Sequence, residues 1–415
     1  MSLPVRALPV VQNWDCGGCT SCCREYVVHV TDEEKQRIEK QGWESEPGFA
    51  GVSMIVREKG RWRLSHGDAK ACVFLGEGGR CRIHEKFGSA AKPLACRIYP
   101  FMLVPAGNEW RVGLRFACPA AAASEGQPLN QHLSEVREYA AALEQQTPGA
   151  VAALQPPALQ GRQRVSWSDL GAFVKALGTI MSNRRDRVER RLRKALALAD
   201  ICKQAKFDKI AGPRLEEFLG ILIDGQDIEV PVDPAKLPPP TWVGRIFFRQ
   251  LLALLARKDT GPNIGIASKG RIALLGAAYR FAKGTGRVPR VHGLLPETSF
   301  EKLEEPAGPL PGDCEQILER YYLTKIHSMQ FAGKTNFDLR FWEGLESLVL
   351  TYPAIMWLSK AFADRPRKDA LLLSLRIVDD SFGFHPLLGS GRQKLALRIL
   401  SFRGEIARLV AWYSR

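Results

Sequence analysis

The rhythm of apolar and polar positions changes near residue 120 of this 415-residue chain. Before that point, apolar residues come in short runs separated by turn residues. After about 128 they recur at three- and four-residue intervals, the period of a helix with one buried face. Residues 26–30 (Tyr-Val-Val-His-Val) predict a strand. Thr31-Asp-Glu-Glu34 is a capping box that opens a helix running to about Gln41 and stopping at Gly42. Residues 60–64 predict another strand. Residues 73–75 and 81–83 flank the Gly76-Glu-Gly-Gly79 turn and predict a hairpin. Residues 101–104 and 110–116, about a Pro-Ala-Gly-Asn turn, predict a second. Downstream, Val188, Leu192, Ala195, Leu196 and Ala199 share a helix face opposite basic residues, and 321–328, 341–360 and 370–377 also carry helical patterns. Residues 147–162 are rich in Pro, Gln and Ala and predict a linker. Residues 231–240 and 289–311 are proline-rich connections. No internal repeat is visible.

These elements predict an α+β protein in two parts. A small cysteine-rich α+β metal-binding domain covers 1–125, a helix and Pro/Gln-rich linker cover 126–165, and a mostly helical basic domain covers 166–415. Apolar content of 45% and charged content of 25% are those of a globular protein and exclude a disordered or fibrous chain. The first residues lack the apolar core of a signal peptide. The apolar stretches at 251–255 and 348–358 are too short or too broken to span a bilayer. We therefore expect no membrane span and a cytoplasmic protein, where clustered cysteines serve as metal ligands rather than disulfides.

The formal net charge of +15 favours an acidic partner or an anionic surface. Most of the excess lies downstream, notably at Arg184, Arg185, Arg187, Arg190, Arg191, Arg193 and Lys194. A helix carrying these cations could track nucleic-acid phosphates. It has no interleaved aromatics and no nucleic-acid motif, so a solvated helix face is the simpler expectation.

Of ten cysteines, eight lie between Cys16 and Cys118. Cys16-Gly-Gly-Cys19-Thr-Ser-Cys22-Cys23 spaces three thiols by two residues, which lets them turn toward one centre, with Gly17 and Gly18 permitting the bend. Cys23, adjacent to Cys22, is expected to point elsewhere. Cys72 and Cys81 close the ends of the first predicted hairpin. His84 follows Cys81 by three residues, Cys96 follows Lys92-Pro93, and Cys118 precedes Pro119. The candidate metal ligands are thus Cys16, Cys19, Cys22, Cys23, Cys72, Cys81, Cys96 and Cys118. Zinc ribbons pair two Cys-x2-Cys knuckles, and the second knuckle is missing here. Three cysteines at two-residue gaps with a remote cysteine before proline echo [4Fe–4S] ligand runs. An iron–sulfur cluster is favoured, with zinc the alternative. Arg24, Arg80, Arg82 and Arg97 adjoin cysteines and could offset thiolate charge. Cys202 and Cys314 stand alone as core or surface thiols, and His29 reads as structural.

In order, Cys16-x2-Cys19-x2-Cys22-Cys23, Cys72, Cys81-x2-His84, Lys92-Pro93-x2-Cys96-Arg97-x-Tyr99-Pro100 and Cys118-Pro119 resemble the CxxCxxCC family of zinc- or iron-chelating proteins. The likeness covers about the first 120 residues and implies metal binding. More weakly, Leu318-Glu-Arg320, the run 341–362 and Phe382-Gly-Phe384-His385 resemble the closing segment of flagellin lysine-N-methylases. Arg376 and His385 match that family's late arginine and histidine only in looser spacing. This second resemblance implies S-adenosylmethionine as methyl donor and a lysine-bearing protein as substrate. The sequence itself shows no Gly-rich strand-to-helix turn for such a donor. Gly284-Thr-Gly286 reads as a flexible loop, and the cysteine spacing departs from that of radical S-adenosylmethionine enzymes. No catalytic residue is identified. The non-enzymatic alternatives are a zinc-stabilised binding module and an iron–sulfur electron-transfer or redox protein.

Overall fold

Alternation in the first part of the chain yields short strands. The computed structural model describes residues 3–67, 70–147, 149, 151 and 153–415. The strands are β1 (Val5–Arg6), β2 (Asn13–Trp14), β3 (His29–Val30), β4 (Ile55–Glu58), β5 (Arg61–Leu64), β6 (Phe101–Ala106), β7 (Glu109–Leu114) and β8 (Gln127–Pro128). Among the described residues they form three small sheets, ordered β1-β7-β6, β3-β5-β4 and β2-β8. The β6–β7 hairpin is the one predicted, with Phe101 opposite Leu114, and β1 joins it in parallel.

Between these strands lie short helices α1 (Ser21–Glu25), α2 (Asp32–Glu39), α3 (Arg82–Phe87), α4 (Leu94–Ile98) and α5 (Pro119–Ala123). The rest of the chain is helical: α6 (Leu133–Gln146), α7 (Trp167–Ser182), α8 (Val188–Gln204), α9 (Pro213–Glu229), α10 (Trp242–Leu255), α11 (Gly270–Lys283), α12 (Phe300–Glu304), α13 (Gly312–His327), α14 (Phe341–Val349), α15 (Thr351–Ala361), α16 (Arg367–Ser381), α17 (Gly391–Phe402) and α18 (Glu405–Tyr413). The α+β class holds, with 54% helix and 10% strand.

Two expectations change in the first part. The strand at 26–30 shortens to His29–Val30 because Tyr26 caps α1, and its hydroxyl is drawn to Asp380. The hairpin at 73–83 reduces to a single bridge between Leu75 and Cys81. Residues from Arg82 onward turn into α3, with Cys81 at its N-cap and only Ile83 buried.

Two hydrophobic cores organise the site. The smaller gathers Val30, Ile38, Trp43, Phe49, Phe74 and Ile83, with Cys72, Cys81 and Cys96 packed against it. Its aromatic rings interlock, Trp43 lying 5.0 Å from Phe49 and 5.1 Å from Phe74. The larger runs from the β6–β7 hairpin through α7, α13 and α16 to α18. Phe116 meets Tyr321 edge-on at 5.2 Å, so the segment after β7 packs into the helical body. The Pro/Gln/Ala-rich stretch is packed in part, with Val151 buried and Ala153, Gln155, Gly161 and Arg162 exposed. Leu159 is buried, and the Ala158 and Leu159 carbonyls accept from the Phe341 and Trp342 amides. Residues 148, 150 and 152 of that stretch lie outside the described residues.

The basic stretch overturns its expectation within α8, while Arg184, Arg185 and Arg187 before it stay exposed. Arg190, Arg191, Arg193 and Lys194 of α8 are all buried. Arg191 pairs with Glu319 at 2.7 Å and Arg193 with Glu189 at 2.8 Å. Arg190 and Lys194 converge on Asp186, and Lys194 also meets Asp227. Main-chain carbonyls of Met181, Asp186, Val230 and Pro231 take remaining guanidinium protons. Buried charge persists only where it is paired and hydrogen-bonded, and the planar guanidinium supplies the matching fork. This stretch of α8 is therefore neither a solvated face nor a groove for phosphates.

Candidate metal centre

The four-cysteine run folds as a turn leading into a single helical turn. Thr20 at the N-cap of α1 takes a left-handed conformation, as does Gly18. The Gly76–Gly79 loop lies against this turn, so that a Cβ on Gly79 would sit 2.7 Å from the Gly18 carbonyl oxygen. Only glycine tolerates that approach together with a φ of +75°. Cys22 and Cys23 thus face the segment that carries Cys72 and Cys81. The Cys72 amide donates to the Cys23 carbonyl at 2.8 Å. The Cys22 and Cys23 sulfurs lie 3.9 Å apart, so Cys23 does not point elsewhere as adjacency suggested. Within α1 the short turn holds both thiols on one side.

Cys96 is placed by the capping box. Glu34 receives the Thr31 amide on one carboxylate oxygen at 3.0 Å and the Leu94 amide on the other at 2.7 Å. One side chain therefore closes the start of α2 and also fixes the start of α4, two residues before Cys96. Arg37 adds a bond to the Lys92 carbonyl.

The electrostatics report which thiols share space. Cys22 is pushed far up by its hydrogen bond with Cys23 and by burial. Burial raises Cys72 to about 11, and like charge from Cys81 and Cys22 adds to it. Burial also raises Cys96, with Cys72, Cys81 and Cys22 contributing repulsion. Cys22, Cys23, Cys72, Cys81 and Cys96 thus form one gathered set. Cys118 lies apart at the N-cap of α5; burial raises it, and Cys19 is the thiol that faces it. Cys16 and Cys19 are exposed on the turn. Cys202 and Cys314 are buried core thiols.

Sequence reasoning misplaced the helpers. The cation acting on Cys22 and Cys96 is Lys92. Arg82 instead stacks on Phe49 and donates to the Pro47 carbonyl, while Arg97 reaches Glu138 and Tyr139. Arg24 and Arg80 are exposed. His84 is exposed on α3 and His29 on β3, whereas His66, which no spacing flagged, bridges Cys72 through the main chain. Burial and Arg63 lower the His66 pKa, favouring the neutral imidazole that metals bind.

Among the described residues, no three His, Cys, Asp or Glu side chains already stand in a metal-holding group. The fit of a metal rests on donor chemistry: five thiols brought together from three separated segments. Such a set suits soft or borderline metals such as zinc and iron in clusters. The raised thiol pKa values mean that loading releases protons.

A cleft opens where α1 meets the helical body, lined by Glu25, Tyr26, Lys258, His292, Arg376 and Asp380. Lys258 bridges Glu25 at 3.2 Å and Asp380 at 2.6 Å. Burial and Lys258 lower the His292 imidazole to about 4. Gly284 is no free loop either, since it caps α11 and lies against the Arg249 guanidinium.

The short α+β segment thus sets three thiols, Cys72, Cys81 and Cys96, on the rim of an aromatic core. Residues 15–121 match the CxxCxxCC family model, described as "Putative zinc- or iron-chelating domain", and this span contains all eight clustered cysteines. No curated protein and no solved structure matches the chain. Nothing in the comparisons supports the resemblance to flagellin lysine-N-methylases.

Proposed function

We propose that the module of residues 1–125, joined through 126–165 to the helical part 166–415, holds a soft metal centre, with an iron–sulfur cluster favoured. The observation that carries this reading is the gathering of Cys72, Cys81 and Cys96 on one small core, with the Cys22–Cys23 pair held against Cys72 through the Cys23 carbonyl. Cys16, Cys19 and Cys118 complete the proposed ligand set from a second locus. A [4Fe–4S] cluster takes cysteine thiolates and would supply electron transfer or redox sensing. His66 beside Cys72 favours a second reading, a zinc site of mixed thiolate and imidazole that stabilises a binding module. Ten free thiols suit a reducing, cytoplasmic setting.

Iron, acid-labile sulfide and zinc, measured after purification without oxygen, separate the two readings. Iron and sulfide in equal amounts with visible absorption support the cluster. Zinc without a chromophore replaces it with the zinc site. A metal-free protein with intact fold defeats both.

The enzymatic reading is methylation of protein lysines with S-adenosylmethionine. It is supported by the resemblance of the segments around Leu318 and Phe382. Transfer of label from S-adenosylmethionine to lysine-rich protein by the metal-loaded chain tests it, and absence of transfer removes it.

A further inference from the structure

The burial of α8's cations leaves a question of where the positive charge meets solvent. Residues 260–296 carry Lys269, Arg271, Arg280, Lys283, Arg287 and Arg290 and not one Asp or Glu. Arg287 pairs with Glu297, and Arg290 is held by the Gly293 and Leu295 carbonyls. Lys269, Arg271, Arg280 and Lys283 are exposed, and none has a carboxylate partner among the described residues.

These four cations frame α11, which packs on the core through Ala277 and Phe281. Its opposite side exposes Ile272 at 86%, Leu275 at 72% and Tyr279 at 69%. At about 100° per residue, those three fall within about 60° of arc. On the same wheel Arg271 and Arg280 flank the stripe on its two sides, while Lys269 and Lys283 lie near its two ends. Singly exposed apolar residues need no explanation, but an apolar stripe with a cationic border does.

We propose that α11 docks flat on the surface of an anionic phospholipid bilayer. The three apolar side chains enter the headgroup boundary, and the flanking Lys and Arg side chains meet lipid phosphates. Charge complementarity selects this occupant. A second copy of the chain would bring like charges face to face. Ile272, Leu275 and Tyr279 are each more than two-thirds exposed, and a deformable bilayer takes up such side chains without a preformed groove. Docking does not require a membrane span, and among the described residues no helix is long and apolar enough to cross one. Nor does it depend on the metal centre.

The test is sedimentation of the full chain with vesicles of phosphatidylglycerol and phosphatidylcholine, compared with phosphatidylcholine alone. Each cation near an anionic surface strengthens binding roughly fivefold, so we expect at least about tenfold preference for the anionic vesicles, weakening with salt. The pair Ile272→Ser and Leu275→Ser should cut anionic binding about tenfold or more. The pair Arg271→Gln and Arg280→Gln should cut it by a similar factor. All four sites are exposed, and an unchanged thermal transition shows that the variants fold. Equal binding to both vesicle types overturns the proposal, as does no binding or full retention by the folded serine variant. Binding to an acidic polypeptide that exceeds vesicle binding also overturns it and assigns the face to a protein partner.

Discussion

The Tyr26 hydroxyl donates to Asp380 Oδ1 at 2.8 Å across 354 positions of sequence. Tyr26 ends the turn that carries Cys22 and Cys23, and Asp380 lies near the end of α16. Arg115 and Lys258 meet the same carboxylate at 3.3 Å and 2.6 Å. The neighbouring Asp379 accepts from the Ala117 amide at 3.0 Å, next to Cys118, and pairs with the buried Lys325 at 2.6 Å. Two consecutive aspartates of α16 therefore anchor both thiol loci to the helical body.

Asp380→Asn should destabilise the protein by about 3–5 kcal/mol, because Lys258 and Arg115 would keep buried charge without a full partner. Urea unfolding at pH 7 measures this. A change below about 0.5 kcal/mol would show that the junction does not depend on this carboxylate.

Cys22→Ser and Cys96→Ser should lower bound metal, with the thermal transition of the module falling in parallel. Cys19→Ser tests whether the exposed turn contributes. Cys202→Ser and Cys314→Ser should leave metal content unchanged, since both thiols lie in the large core away from the gathered set. Elemental analysis of each purified variant decides, and metal loss at Cys202 would move the site.

Glu34→Ala removes the partner of two helix starts at once. A capping interaction contributes about 1 kcal/mol, so a loss of about 1–3 kcal/mol is expected. Looser metal retention should accompany it, because α4 carries Cys96. Chelator competition and unfolding together test the link, and destabilisation with unchanged retention would sever it.

Acid should weaken the α8 network. Burial alone would raise Asp186, but donation from Lys194 and Arg190 outweighs it and holds the carboxyl below its usual value of 3.8. Glu319 likewise sits below 4.5: burial opposes the shift, and Arg184 and Arg191 overcome it. A depressed folded pKa means that stability is fully present above the unfolded value and is lost as pH falls through the folded one. Unfolding free energy should thus drop below about pH 4.5, and Glu319→Gln should flatten that fall while costing about 3–5 kcal/mol at pH 7. An unchanged slope in this variant would contradict the assignment.

Sequence alone determined what depends on neighbours within a few residues: the capping box at Thr31 and Glu34, the β6–β7 hairpin, the periodicity of α8, and a cysteine run suited to a metal. Spacing and propensity act through local backbone geometry, so they can be read from the chain. Tertiary structure decided what depends on partners far away. It brought Cys72, Cys81 and Cys96 to Cys22 and Cys23, bridged His66 to Cys72 through the main chain while leaving His84 exposed, and turned the Cys23 sulfur toward that of Cys22. It neutralised the buried cations of α8 with Asp227 and Glu319, while the cations framing α11 stay exposed. The physical reason is that a charge or thiol gains its role from the groups packed against it, and packing joins residues whose separation along the chain carries no local signal.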